Sequence, residues 1–438
     1  MTRSPYALAD TDHGDLFGVF LAVHALPGSV LLLHTTVGCK FKTQLHLYGH
    51  DAFRESHNRR LWTGVDEVRL IAGSGERLIR FATTWYERRR PDLFVVTTNA
   101  AVELSAVDVE AAVEDLRRRL PCPVLLLPAP GYQGSLWGGY SRMVSAVAGL
   151  ADWTAPRDPA AVGLAGYPFD RYEMDHVANL GEVRRLLKAV GLDLAGTLFS
   201  GEPLAAVRGI ARAGTLIALP YAAPAVPALA AASGRPVATL DLPVGLAGSA
   251  AFLRAASAAA ATPTATAAGL PDARTEAAID RELARAAPLA ARVADRVAGL
   301  RAAVCLDTPL AAAVTAFLLD LGLEVPLACL TDGVQANPAA FHATLDRLGA
   351  PPAGRPAVLA APSRDEARDA LLAEAARSPI PVIVGSAVQA GYGVPGAAVV
   401  QLGYPATGKH QVYPVPWMGS NGAVALAQRV MDAAAGAF

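Results

Sequence analysis

Residues 91–127, PDLFVVTTNAAVELSAVDVEAAVEDLRRRLPCPVLLL, read as strand, helix and strand in succession. LFVVTT (93–98) is a short apolar run of the length and β-branched content of a buried strand. Val109, Val113, Leu116 and Leu120 then form an apolar stripe at helical spacing with charges between. Pro121 and Pro123 interrupt that periodicity, and 124–127 returns to strand character. A strand followed by a helix and a second strand implies a βαβ unit and a parallel sheet.

The same alternation extends in both directions. Upstream, 29–34 (SVLLLH) and 67–72 (EVRLIA) are further candidate strands. Downstream it restarts twice. A strand at 161–166 precedes a helix with Val183, Leu186, Leu187 and Val190 on one face, stopped by Gly191, and strands are expected at 215–219 and 236–240. From Ala302, AAVCLD leads into a helix carrying Leu310, Val314, Phe317 and Leu321, with strands at 325–330, 357–360, 381–384 and 398–402. The fold class is α/β: three Rossmann-like, doubly wound parallel-sheet domains, 1–158, 159–268 and 269–438, around a central cleft. The Ala- and Thr-rich stretch 255–268 is expected to bridge the second and third.

At 438 residues and 53% hydrophobic content the chain has material for several cores. Its formal net charge of −1 gives no reason to expect nucleic acid or an anionic membrane as partner. The N-terminal MTRSPYALADTDHGD lacks the apolar core of a signal peptide, and the Ala-rich runs are broken by Pro, Arg, Asp and Thr short of a membrane span. The expectation is a soluble, cytoplasmic protein. Cys39, Cys122, Cys305 and Cys329 are far apart and form no CxxC pair, which argues against a disulfide framework and against a metal site built from this chain alone. There is no GxxxxGK[ST] loop for nucleotide binding, and no GxSxG elbow.

Cys39 stands apart from the other three. In LLLHTTVGCK (31–40) it follows a buried strand on a loop loosened by Gly38, so a thiolate there reaches a ligand lying outside the sheet. A small buried hydrophobe is the alternative reading of an isolated cysteine, and it is the one adopted for Cys122, Cys305 and Cys329. His34 ends the strand and either hydrogen-bonds near a ligand or caps the strand. His46 and His50 share a helix face at i, i+4, but no HExxH carboxylate accompanies them, and with His57 they read as a solvated or interface face. GSGERL (73–78) resembles a phosphate loop only superficially.

The order of segments carries a resemblance. The cysteine loop, then 61–80, 91–113 and 121–147, is similar to the N-terminal domain of nitrogenase component 1 type oxidoreductases. LFSGEPLAAVRGI (198–210) and GRPVATLDLPVGLAGSAAFL (234–253) resemble the middle domain of the family's β-like subunits. CLDTPLAAAVTAFLLDLGLEV (305–325), PIPVIVGS (379–386) and the segment 399–430 match its closing pattern.

What the resemblance implies is a subunit of a heteromeric complex. Catalytic members supply three cysteines per subunit to a shared cluster. Here Cys39 matches the first, Trp62, Thr63 and Gly64 occupy the region of the second, and Asn99 stands at the third. One thiolate cannot hold a cluster that takes about four ligands. The implied cofactor is therefore an iron–sulfur cluster shared with a partner subunit, an α-like component 1 subunit in a heterodimer or heterotetramer. Cys39 is the metal ligand, with Gly38, His34 and Asn99 around it. ATP belongs to a separate P-loop iron–sulfur reductase. Lys409 and His410, in a loop facing the cleft, are candidates for proton donation or anion binding. The leading expectation is a subunit of a nitrogenase-like reductase, passing electrons through the interfacial cluster to a substrate. The alternative is a non-catalytic scaffold on which a nitrogenase cofactor is assembled, and a third possibility is a partner that has lost its cluster.

Overall fold

The computed structural model describes residues 14–36, 38, 59–105, 108–129, 134–261, 272–406 and 409–435. Cys39, His46, His50 and His57 lie outside the described residues, as does 262–268 of the expected bridge. The first half of that bridge is no linker. The helix Gly245–Ala261 runs through it, because alanine is the strongest helix former and nothing in 255–261 interrupts the turn.

Three parallel sheets form the scaffold. The first contains β1 (Ser29–His34), β2 (Arg60–Trp62), β3 (Leu93–Thr98) and β4 (Val124–Leu126), in the order β2-β1-β3-β4. The second contains β5 (Asp158–Ala165), β6 (Asp193–Thr197), β7 (Ala213–Ala218) and β8 (Val237–Thr239), in the order β6-β5-β7-β8. The third contains β9 (Arg301–Leu306), β10 (Glu324–Leu330), β11 (Ala357–Ala360), β12 (Val382–Gly385) and β13 (Ala398–Gln401), in the order β11-β10-β9-β12-β13. Each order reverses once, between β1 and β3, β5 and β7, and β9 and β12. Ligands of open α/β sheets bind outside the strand carboxyl ends at such reversals.

The parallel strands are covered on both faces, so alternate residues serve different cores. Val30 and Leu32 of β1 pack with Phe94, Val96, Leu78 and Leu116, whereas Leu31 and Leu33 join a core continuous with the second and third sheets. Cys305 and Cys329 sit side by side in β9 and β10, buried under Ala367 and Leu371. The helices Asp15–His24 and Leu136–Ala148 cross at backbone contact. A Cβ on Gly18 would fall 1.8 Å from the Leu136 carbonyl oxygen, and one on Gly139 would fall 1.9 Å from that of Asp15.

The expected strand at 67–72 is a helix, Glu67–Ala72. Its apolar–polar alternation suits either conformation over so few residues. The ends decide: the Asp66 side chain accepts from the Arg69 amide at 2.9 Å, and Gly73 leaves the helix at φ 96°. Conversely β2, pairing with Leu31–Leu33 of β1 in register, was not expected from its short, mixed sequence. Among the described residues no helix is long and apolar enough to cross a membrane.

Candidate functional site

Two regions lie at strand carboxyl ends. The first is the loop after β1, where the chain approaches Cys39. The buried His34 ring has both nitrogens engaged by hydroxyls, Nε2 with Ser74 Oγ at 2.7 Å and Nδ1 with Thr63 Oγ1 at 3.0 Å. Burial, and then the Arg77 guanidinium, lower its pKa to about 4, so the imidazole is neutral at physiological pH. The Trp62 indole N–H donates to the carbonyls of Thr35 (3.1 Å) and Thr36 (3.3 Å). Asn99 caps the helix Ala100–Glu103 by accepting from the Val102 amide at 3.2 Å, and its Nδ2 donates to Thr36 Oγ1 at 3.1 Å.

Two of the three positions compared with the family's cysteines are therefore gathered at one place: Trp62 and Asn99 both hold residues 35–36, which precede Cys39 in the sequence. Gly64, at φ 63°, turns the chain under the Trp62 ring, 3.4 Å from where its Cβ would lie. Gly38 is exposed, and a Cβ there would meet nothing within 4 Å among the described residues. Three large apolar side chains beside these strand ends face solvent: Val68 and Ile71 in the helix after β2, and Leu104 in the segment after β3. No described side chain here is placed as a cluster ligand. Among the described residues, no group of three or more His, Cys, Asp and Glu could hold a metal ion.

The second region is a cavity of about 300 Å³ where the strand ends of the second and third sheets meet Trp137 of the helix Leu136–Ala148. Arg171 sits among three carboxylates: Asp170 at 2.9 Å, Asp175 at 2.7 Å and Glu173 at 3.2 Å. Burial alone would lower its pKa, but these carboxylates more than offset that, and the net shift is upward. His176 Nε2 lies 2.5 Å from Asp170 and its Nδ1 lies 2.9 Å from the Tyr167 hydroxyl. His410 Nδ1 lies 2.5 Å from Glu173, whose other oxygen accepts from the Gln411 amide. Lys409 lines the cavity too, with its Nζ donating to the Val399 carbonyl at 3.0 Å.

Across the cavity, Asp307 directly follows β9, accepts from the Tyr221 hydroxyl at 2.7 Å and caps the next helix at Leu310. Burial first, and the nearby charge of Asp332 second, push its carboxyl up to about 7. Trp137 stacks on Tyr221 with ring centroids 4.0 Å apart, so all three parts of the chain meet at this wall.

Residues 15–435 match the family described as nitrogenase component 1 type oxidoreductase. The chain belongs to that family. Among solved structures it resembles nitrogenase Cp1, with a TM-score of 0.77 at 15% identity, covering 97% of this chain and 92% of that one. A second Cp1 structure gives a TM-score of 0.72 at 16% identity. At such identities the likeness speaks for the fold. The expected three-sheet, doubly wound architecture is the fold of this nitrogenase-type chain.

Curated relatives carry a narrower name. The chain is 26% identical to the nitrogenase iron-molybdenum cofactor biosynthesis protein NifN of Rippkaea orientalis over 199 residues, 43% of this chain and 42% of that protein. Its identity to NifN of Rhodobacter capsulatus is 28% over 183 residues, 40% and 38% of the two chains. The alignments thus span about two fifths of these relatives' lengths. They favour the assembly reading of the sequence over the leading expectation of a reductase.

Of the residues singled out in the sequence, Lys409 and His410 line the cleft, while His34 and Asn99 belong to the β1 loop. Sequence reading passed over Arg171, Asp307, Tyr221 and Arg429. DRYEMDH (170–176) offered a signal in its density of ionisable groups between a strand and a helix, and DTP (307–309) in its capping pattern. Tyr221 and Arg429 had none, since only the tertiary fold brings them to the cavity.

Proposed function

We propose that this chain is the β-like half of a scaffold on which a nitrogenase-type metallocluster is assembled. In this reading an α-like partner supplies most ligands of an interfacial iron–sulfur cluster and Cys39 supplies one. The observation that carries it is the likeness to proteins named for biosynthesis of the iron-molybdenum cofactor. Three features support it: Cys39 is the one cysteine before Cys122, Asn99 and Trp62 stand where further thiols are expected, and the exposed Val68, Ile71 and Leu104 beside these strand ends suit burial against another chain. Division of the chain at 158/159 and 268/269 is part of the same proposal, as is its working in the cytoplasm. When bound, the cluster would supply electron storage and transfer. The chain's own part is to present Cys39, which follows in sequence the residues 35–36 held by Trp62 and Asn99.

A second reading, favoured by the oxidoreductase description of the family, is a reductase subunit fed by an ATP-dependent iron–sulfur reductase, with His410 and Lys409 serving protons at the cleft. One experiment separates the two. The complex is purified anaerobically with its partner and assayed for release of a metallocluster to an apo-enzyme, and for turnover of a small organic substrate with reductase, ATP and reductant. Stoichiometric release without turnover is expected. Repeated turnover without release would favour the reductase.

A further inference from the structure

The helix Ala273–Val297, 25 residues long, sorts its charges by face. Its cations are Arg274, Arg281, Arg285, Arg292 and Arg296, in steps of seven, four, seven and four residues. At 3.6 residues per turn those steps bring all five within about 60° of one another, in a single row roughly 33 Å long. All five are exposed, while Ile279, Val293 and Val297 on another face are buried and anchor the helix. Its carboxylates, Glu276, Asp280, Glu282 and Asp295, lie off the row. Glu276 pairs with Arg254 and Glu282 with Arg185, on the neighbouring helices Gly245–Ala261 and Met174–Ala189. Arg285 comes no nearer to Glu282 than 3.9 Å, and no carboxylate among the described residues lies within ion-pair distance of the other four arginines.

The stability of the helix does not account for this row. Like charges four residues apart, as in Arg281 with Arg285 and Arg292 with Arg296, disfavour a helix, and an anionic partner would relieve them. Between Arg285 and Arg292 the Leu289 side chain stands 48% exposed at the edge of the row. An apolar side chain set among arginines is the material of a protein interface. The row is one side chain wide and is flanked by the exposed Asp280 and Asp295. Those carboxylates would repel the broad anionic face of a nucleic-acid duplex or a bilayer, and the helix has no aromatic side chain on which the bases of a single strand could stack. A narrow rod of matching charge meets the arginines and avoids both carboxylates.

We infer that the exposed face of Ala273–Val297 docks an acidic α-helix of a partner protein, with its carboxylates along the arginine row and an apolar side chain against Leu289. The surface uses none of the residues around Cys39 or lining the central cavity, so it is independent of the cluster reading. The probes are a fluorescein-labelled, Ala-based helical peptide carrying Glu at the same seven-and-four steps with one Leu to face Leu289, its scrambled counterpart, single-stranded DNA, and phosphatidylserine vesicles. Each is titrated against the full-length protein, the peptides and DNA by fluorescence anisotropy and the vesicles by co-sedimentation. The patterned peptide should bind saturably, at least about tenfold tighter than the scrambled one, and should weaken as salt is added. Reversing two charges in Arg281→Glu/Arg292→Glu should weaken it at least about tenfold, since two attractions become repulsions. Leu289→Ser should weaken it several-fold. Arg88→Glu/Arg89→Glu, which changes the net charge equally at two exposed arginines of another helix, should bind as the wild type does. All these positions are exposed, and circular dichroism should show each variant folded. Equal binding of the scrambled peptide, tighter binding of DNA or vesicles, or wild-type affinity in Arg281→Glu/Arg292→Glu overturns the proposal.

Discussion

The loop after β1 and the central cavity both stand at strand carboxyl ends, yet they are built from opposite materials. The loop is held by neutral groups: a neutral His34 between two hydroxyls, an indole N–H and a primary amide, with exposed apolar side chains beside it. The cavity is held by charge, with three carboxylates around Arg171 and His410 on Glu173. Neutral donors fix a backbone without compensating any charge placed there, so the loop suits a site completed from outside the chain. The charged network balances itself and closes the second and third sheets on each other.

That contrast is sharpest at Cys39. Cys39→Ala is expected to remove most of the iron from the anaerobically purified complex, read by metal analysis and electron paramagnetic resonance, while the cavity and the fold persist. Unchanged iron would sink the loop as a cluster site.

Arg171→Met tests the other side. Removing the one guanidinium shared by three buried carboxylates should destabilise the protein by about 3–5 kcal/mol in urea unfolding, as for other broken buried pairs. A loss no larger than that of a surface pair, about 1 kcal/mol or less, would mean that the cavity is not held by charge.

The two regions should also respond to pH with opposite signs. Asp307 has its carboxyl raised to about 7, so its neutral form is the one the fold accepts. Its contribution is intact below pH 3.8 and is lost as pH rises toward 7. Asp307→Asn keeps the cap and the acceptor for Tyr221. It should flatten that slope and gain up to about 4 kcal/mol above pH 7, a bound set by the size of the shift. His34, lowered from 6.5 to about 4, contributes fully above pH 6.5 and is lost as pH falls toward 4. His34→Gln should remove that acid-side loss, at most about 3 kcal/mol on the same scale. Parallel slopes in the two variants would erase the distinction between the regions. The smallest effect is expected for Asn99→Ala. Loss of its cap costs about 1 kcal/mol, seen as faster hydrogen exchange at the Val102 amide.

Much of this was legible in order and pattern. The run from Leu93 to Leu126 shows strand, helix and strand through its apolar spacing alone, and repetition of that pattern gives three sheets. Segments too short for a period were not legible. Glu67–Ala72 fits a strand or a helix equally well by alternation, and it was settled by Asp66 and Gly73 at its ends. β2 has three residues and exists because β1 offers an open edge in register.

By itself, the sequence determined the family, the α/β architecture and the isolation of Cys39, because these rest on local periodicity and on which residues are present. Only the tertiary structure brought Trp62 and Asn99 onto residues 35–36, set His410 on Glu173, and carried Arg429 and Tyr221 to one cavity. Those contacts join residues from 26 to more than 200 positions apart. Their pairing depends on how the sheets pack, which no local pattern encodes.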